Sequence, residues 1–152
     1  VIAARQSPRP VRLSGAVGRR GPLHTGGTPK TLLAFLPDDE RAAMLDRLSL
    51  DRITPYTITD RDKLESRLAE IREAGYVVTA DDVDLGAISI AAPIYDFTRR
   101  VVAAMSIAGP VTRFPEDVIE TYTHLILEAT RRVSQALGYR PPVRRSAPSA
   151  LS

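Results

Sequence analysis

The amino-acid sequence predicts a single α+β domain (mixed α/β) built on an antiparallel sheet, and three observations support this fold class: a central hairpin, a set of helices, and their order. The hairpin consists of two apolar runs, residues 87–94 and 101–108, on either side of the polar residues 96–100. Both runs are nearly continuous in apolar residues, which is typical of strands covered on both faces. Strands, a helical insert, the hairpin and a closing helix follow one another, an order that differs from a repeating βαβ fold.

The composition indicates one globular domain without metal or cofactor chemistry. The chain has 152 residues, of which 43% are hydrophobic and 26% are charged, enough for a substantial core. It contains no cysteine, which excludes disulfides, thiolate metal sites and a cysteine nucleophile. Its two histidines, His24 and His124, are far apart in sequence, so we expect neither a metal site nor a cofactor.

The distribution of apolar residues along the sequence bears on the location of the protein. No apolar run approaches the roughly 18 residues of a membrane span, and the first residues lack the charged start and apolar middle of a signal peptide. We therefore expect a cytoplasmic protein that does not contact membranes.

The charge distribution argues against DNA reading by the folded body. The net charge is +3, but residues 1–30 hold six basic residues and no acid, and residues 138–152 hold three arginines and no acid. The middle of the chain then carries 12 basic and 18 acidic side chains, or −6. A DNA-binding face needs basic residues clustered on one folded surface. The terminal arginines are more simply explained as solubilising ends, although contact with phosphates stays open.

The first part of the chain predicts two short strands, at residues 1–4 and 11–14, separated by Pro8 and Pro10. The apolar first residues indicate that the chain begins inside a strand, so we expect that an upstream segment is missing.

Three helices follow in the sequence pattern. Thr28 as N-cap and Pro29 at the first helical position predict a helix that continues to Leu36. Pro37 separates it from a second helix that begins with the acidic residues 38–40. A third helix is predicted to open at Thr59, with Asp62 as a capping-box-like partner, and to end at Gly75.

The remainder predicts a strand at residues 76–79, an acidic loop at residues 80–86, the hairpin, and a last helix over residues 115–137. The apolar stripe of that helix requires a sheet or another helix beneath it. Residues 1–140 are predicted to form the domain, and residues 141–152, rich in Pro, Arg, Ser and Ala, a disordered tail.

Most residue patterns that are typical of catalytic sites are absent from this sequence. Ser106 stands in an apolar strand and not in the G-x-S-x-G turn of serine hydrolases. The acids Asp81, Asp82 and Asp84 are better explained as a solvated loop than as a paired-carboxylate site. The glycines before Thr28 could present helix N-terminal amides to a small carboxylate, or could simply make the turn into a capped helix, and the sequence does not separate these two interpretations.

Several motifs together resemble one known family. They comprise GRRGPLHT at residues 18–25, KTLLAFLP at 30–37, ITPYTITD at 53–60, IREAGY at 71–76, IAAPI at 90–94, SIAGP at 106–110 and LGY at 137–139. They resemble the effector-binding domain of the IclR family of bacterial transcriptional regulators, in order and spacing, over nearly all of residues 1–140.

The resemblance implies a GAF-like domain, with a curved antiparallel sheet flanked by helices around a small effector, attached behind a winged helix-turn-helix that binds DNA. The DNA-binding domain and the first helix and strand of the effector domain are not in this sequence. A homodimer or homotetramer and a small-molecule effector are implied as partners, and no enzymatic activity is implied.

The resemblance also implies an effector pocket. Its positions fall on Leu13, Gly27, Thr28, Thr79, Asp81, Ala87, Ser89, Ser106 and Ala108. Thr79 stands where the family tends to have an acid, and Ala108 where it often has a serine. These differences favour a somewhat larger or more apolar organic acid, aromatic acids included. The alternatives are a GAF-like enzyme, a stand-alone metabolite-binding protein, and a dimerisation module with the last helix as its interface.

Overall fold

The computed structural model describes residues 1–10, 12–13 and 15–141. Of the predicted tail at 141–152, residues 142–152 lie outside the described residues. The elements, in chain order, are α1 (Gly27–Ala34), α2 (Asp38–Leu45), α3 (Arg61–Ala74), β1 (Val77–Ala80), β2 (Ala87–Tyr95), β3 (Val101–Pro110), a 3₁₀ helix (Val111–Arg113) and α4 (Glu116–Ala136).

The three strands form one antiparallel sheet with the order β1-β2-β3. The predicted hairpin is therefore confirmed, and each of its strands runs slightly further than predicted, to Tyr95 and to Pro110. At its polar tip, the Asp96 carboxylate accepts hydrogen bonds from the Thr98 amide (2.8 Å) and hydroxyl (2.5 Å). The Thr98 side chain is the main reason why the pKa of Asp96 lies below its ordinary value.

Helices pack on both faces of the sheet. Helix α1 contacts β2 and β3 on one face, with α3 behind it, and α4 contacts β2 and β3 on the other. Because side chains alternate along a strand, Ala91 joins the α1 and α3 core, whereas Ile88 and Ile90 join the core beneath α4. The central strand β2 is thus the one that both layers bury.

The prediction that both hairpin strands are covered on both faces is wrong for β3. Val102 is 52% exposed, and Ser106 and Ala108 are also exposed. β3 is an edge strand of this sheet, and α1 covers only part of the face of β3 that lies on the α1 side.

Helix α1 begins two residues earlier than predicted, at Gly27 in place of Pro29, with Gly26 as N-cap in place of Thr28. Gly26 has φ +76°, a left-handed conformation that glycine adopts readily and threonine does not. The Gly26 carbonyl accepts the Lys30 amide, so Thr28 and Pro29 are already helical residues.

The third helix is confirmed, but its capping residue is different. Asp60 is the N-cap and its side chain accepts the Lys63 amide at 2.9 Å, which replaces the predicted pairing of Thr59 and Asp62. The helix ends at Gly75, which has φ +78° and donates its amide to the Ile71 carbonyl, as the sequence predicted.

The first residues form no strand, contrary to the prediction for residues 1–4. The Val1 carbonyl accepts the Gly18 amide at 2.9 Å and the Val1 ammonium donates to the Arg19 carbonyl at 2.9 Å, so Val1 is held beside residues 18 and 19 without forming a strand. Side chains 1–10 are exposed and therefore gain little from burial. Of the predicted strand at 11–14, Val11 and Ser14 lie outside the described residues and the two between them are not strand.

The last helix, α4, carries the predicted apolar stripe and packs it on the sheet through Ile126, which is 2% exposed. Ser134 is also buried there. Its hydroxyl accepts the Tyr95 amide at 2.9 Å and donates to the Thr130 carbonyl at 2.7 Å, which joins the end of β2 to the helix. In the described part of the chain, no helix has the length and apolar character needed to cross a membrane.

Candidate functional site

The predicted effector residues on the sheet share one face, the face that α1 covers. Thr79, Ser89 and Ala108 are direct neighbours across β1, β2 and β3, and Ser106 pairs with Ala91 one step along the sheet. Adjacent strands lie about 4.8 Å apart, so Thr79 and Ala108 are separated by roughly 10 Å. Predicted residues from three strands are therefore brought together in one row.

The start of α1 lies directly on this row. A Cβ atom added to Gly27 would stand 2.8 Å from Ser89 Oγ and 3.0 Å from Ala91 Cβ, which is closer than side-chain atoms pack. Gly27 is therefore in contact with β2, and no ligand-sized space separates these residues. The N-cap residue Gly26 supplies no capping side chain, so the amides of Gly27 and Thr28 have no side-chain acceptor in the described residues.

Two other predicted residues are less free to bind a ligand. The Asp81 carboxylate accepts the Gly86 amide at 2.5 Å and so holds its own loop closed, with Asp81 itself at φ +59°. Leu13 is 36% exposed, and of its two sequence neighbours only Arg12 is among the described residues. Ala87 opens β2 opposite Pro110, and Thr28 is half-buried in the first turn of α1.

Asp82 contradicts the expectation that the acidic loop is simply solvated. Asp82 is only 5% exposed, and its Oδ2 accepts both the Lys30 ammonium and the Gly26 amide at 2.6 Å. Lys30 is itself 3% exposed. The second carboxylate oxygen, Oδ1, is buried with no hydrogen-bond partner in the described residues. A buried ion pair thus ties the loop to the first turn of α1.

Two threonine hydroxyls hold the same loop from its other side. Thr54 Oγ1 donates to the Asp81 carbonyl at 2.6 Å, and Thr57 Oγ1 donates to the Asp82 carbonyl at 3.1 Å. Both threonines are buried in the turn before α3. The loop between β1 and β2 is therefore fixed by side chains from α1 and from this turn.

Sequence reasoning missed Lys30, Thr54 and Thr57 as parts of the site. A sequence signal for Lys30 was its place in the same helix as the buried residues Leu33 and Ala34, where a lysine needs a partner. The partner itself lies 52 residues away along the chain, and no local pattern identifies it.

Two of the clefts on the described surface bear on a ligand site. The larger, about 360 Å³, is next to α2 between Leu36, Met44 and Arg47, away from the predicted site. The smaller, about 170 Å³, lies at the outer edge of β1 and shares Thr79 with the predicted site. Its polar side chains are those of Lys30, Tyr56, Arg67, Thr79 and Asp82.

The histidines do not contribute a metal centre in the described residues, where no group of three or more His, Cys, Asp or Glu side chains converges. His24 is fully buried, and its Nε2 lies 2.9 Å from the Asp51 carbonyl oxygen. Its Nδ1 has no hydrogen-bond partner within the described residues. His24 thus fastens the segment before α1 to the segment after α2.

Comparison with known proteins identifies the family. Residues 1–135 match the model of the bacterial transcriptional regulator IclR C-terminal domain. Among characterised relatives, the HTH-type transcriptional repressor AllR of Salmonella paratyphi A is 36% identical over 143 residues, which cover 94% of this chain and 53% of AllR. This chain therefore spans about half the length of that relative.

Solved structures share the fold. IclR of Thermotoga maritima is 31% identical, with a TM-score of 0.82 over 87% of this chain and 53% of that chain. A double mutant of the PobR inducer-binding domain from Acinetobacter, in complex with 3-hydroxybenzoic acid, is 27% identical, with a TM-score of 0.73 over 78% of this chain and 69% of that chain. The relatives are transcriptional regulators and not enzymes. This chain belongs to the IclR family of bacterial transcriptional regulators and has the fold of that family's C-terminal domain.

Proposed function

We propose that this chain senses a small organic acid or related metabolite and thereby modulates DNA binding by an N-terminal winged helix-turn-helix domain. One observation carries the proposal: Thr79, Ser89 and Ser106 bring three hydroxyls onto one sheet face beside the start of α1. A few convergent polar groups on a partly apolar face are typical of binding sites. The complex of the related PobR domain with 3-hydroxybenzoic acid supports an organic acid as the ligand class.

In the proposed binding mode, the amides at Gly27 and Thr28 and the hydroxyls of Ser89 and Ser106 hold the carboxylate or hydroxyl of the effector. Because Gly27 contacts Ser89 directly, the effector lies on the β3 side of that contact, where Ser106 is exposed. The remaining predicted residues, Leu13, Ala87 and Ala108, pack the apolar part, and the loop at Thr79 and Asp81 closes the far end. An aromatic acid suits this largely apolar lining.

Signalling requires two states of the whole regulator with different affinities for the effector. We propose that the regulator is a homodimer or homotetramer in the bacterial cytoplasm, that it reaches DNA only through the N-terminal domain, and that it makes no membrane contact. Effector binding then shifts the balance between arrangements of the DNA-binding domains.

A second candidate function is a dimerisation module without a ligand, or a stand-alone GAF-like domain. The direct contact between Gly27 and Ser89 supports it, because it leaves no space at the centre of the predicted site. Leu125, which is 50% exposed on α4, offers apolar surface for such an interface.

Isothermal titration calorimetry with a panel of small aliphatic and aromatic acids tests the proposal, with Ser106→Val as the site variant. We expect at least one acid to bind and Ser106→Val to weaken it, since the variant removes a hydrogen-bond donor. If no acid binds, the sensing function is wrong. If an acid binds equally to the wild type and to Ser106→Val, the assignment to this face is wrong. A concentration-dependent dimer without any acid binding supports the second candidate.

A further inference from the structure

We propose that Asp82 is a positioning residue, which holds the first turn of α1 and the β1–β2 loop (residues 81–86) in one fixed arrangement. Both segments belong to the proposed effector site, because Gly27 and Thr28 lie in that turn and Asp81 lies in that loop. Asp82 is only 5% exposed and acts through the Gly26 amide. The inference rests on the proposed function for its effect on binding, whereas the link between the two segments does not depend on any ligand.

Three segments of the chain meet at Asp82. Its Oδ2 accepts the Gly26 amide and the Lys30 ammonium, both at 2.6 Å, and its carbonyl accepts the Thr57 hydroxyl at 3.1 Å. In the described residues, every hydrogen bond between the loop and the start of α1 ends on this one carboxylate oxygen. The turn before α3 holds the loop separately, through Thr54 and Thr57. The Asp82 carboxylate therefore sets how the start of α1 stands relative to the loop.

The ion pair is poorly suited to a purely stabilising role. Lys30 and Asp82 are 3% and 5% exposed, so both ions have lost most of their hydration. Asp82 Oδ1 is also buried without a hydrogen-bond partner in the described residues, and an unsatisfied buried acceptor is unfavourable. Apolar side chains of similar volume often fill such a space with equal or greater stability. The pair is better explained by the geometry that it imposes on the Gly26 amide.

Gly26 is a sensitive point at which to hold the helix. It is the N-cap residue, with φ +76°, and its carbonyl accepts the Lys30 amide as the first hydrogen bond of α1. Rotation of the backbone at Gly26 would re-aim the amides of Gly27 and Thr28, which follow it directly. The Asp82 carboxylate opposes this rotation, because a single oxygen atom holds the Gly26 amide and a side chain one helical turn further on.

Amide hydrogen exchange followed by NMR tests the link without any ligand. Asp82→Leu alone would leave the Lys30 ammonium buried without its partner, so the variants are Lys30→Met/Asp82→Leu and Lys30→Met/Asp82→Asn. Both remove the two charges, and only the second keeps a side-chain acceptor for the Gly26 amide. We expect the amides of residues 26 and 30 to exchange at least tenfold faster in the leucine variant, while the amides of α4 exchange equally in both.

Calorimetric titration of the wild type and both variants with benzoate, an aromatic acid of the panel, tests the effect on binding. We expect the leucine variant to raise the benzoate Kd about tenfold and the asparagine variant to restore most of the affinity, although both unfold within a few degrees of the wild type. A merely structural role would lower the Tm and leave the Kd of the folded protein unchanged.

Equal exchange at residues 26 and 30 in the two variants, equal benzoate Kd values in all three proteins, or unfolding of both variants would each overturn the inference. If no acid of the panel binds the wild type, the proposed sensing function is wrong. A difference in exchange between the two variants would then still support the link between α1 and the loop, so the two failures are distinguishable.

Discussion

Replacing Gly27 by alanine tests whether α1 rests directly on β2. The new Cβ would stand 2.8 Å from Ser89 Oγ and 3.0 Å from Ala91 Cβ, and both neighbours belong to the central strand of the sheet. Forcing an extra methyl group into such a contact costs about 1–3 kcal/mol. Alanine recovers up to about 1 kcal/mol through its higher helix propensity, so we expect a net loss of about 1–2 kcal/mol.

Thermal unfolding followed by circular dichroism measures this loss. For a chain of this size, 1 kcal/mol corresponds to a change in Tm of about 2–4 °C, so Gly27→Ala should lower Tm by about 2–8 °C. Gly21→Ala is the matched control, because a Cβ at Gly21 meets no atom within 4 Å. Adding Ser89→Ala to Gly27→Ala should recover part of the loss, since the shorter of the two contacts disappears.

A Gly27→Ala protein that unfolds at the same temperature as the wild type, or above it, would refute this reasoning. It would mean that α1 stands off β2 and leaves open space above Ser89. That space would extend the proposed effector site to the centre of the sheet and would weaken the case for a dimerisation module.

Three further predictions concern stability. Asp60→Ala should cost about 1 kcal/mol, measured as a lower urea midpoint, because the Lys63 amide loses its cap, and an unchanged midpoint would contradict the capping role. Ser134→Ala should cost about 1–3 kcal/mol in the same assay because it leaves the partly buried Tyr95 amide without its acceptor, whereas Ser66→Ala on the exposed side of α3 should have little effect. Burial raises the pKa of Tyr95 in the folded state. The stability that this pKa shift contributes is complete below the unfolded-state pKa of about 10 and is lost as the pH rises through the folded-state pKa. Tyr95→Phe should therefore reduce the alkaline loss of stability, and an identical pH profile for both proteins would show that another group causes it.

Local sequence patterns predicted the elements whose causes are local. The hairpin follows from two apolar runs around a polar tip, and α3 follows from apolar spacing that ends at a glycine with φ +78°. The family resemblance, confirmed by the match over residues 1–135, rests on short motifs of the same kind. The predicted starts of α1 and α3 were wrong by only one or two residues, because neighbouring residues can each serve as the N-cap. Asp60 caps α3, and at α1 the positive φ angle of Gly26 decides which residue is the N-cap.

The candidate site was predictable only in part. Thr79, Ser89 and Ala108 were named from the resemblance, and the strand register brings them into one row. Whether space remains above that row depends on how closely Gly27 approaches β2, a distance set by the packing of the whole helix.

The sequence by itself determined the α+β class, the hairpin at the centre of the sheet, and the membership of the IclR family. Only the tertiary structure decided that Asp82 is buried against Lys30, because the pair joins residues 52 positions apart and becomes necessary only when the loop and α1 exclude water together. It also decided that β3 is half-exposed, since the cover of a strand depends on its neighbours in space and not on its own residues.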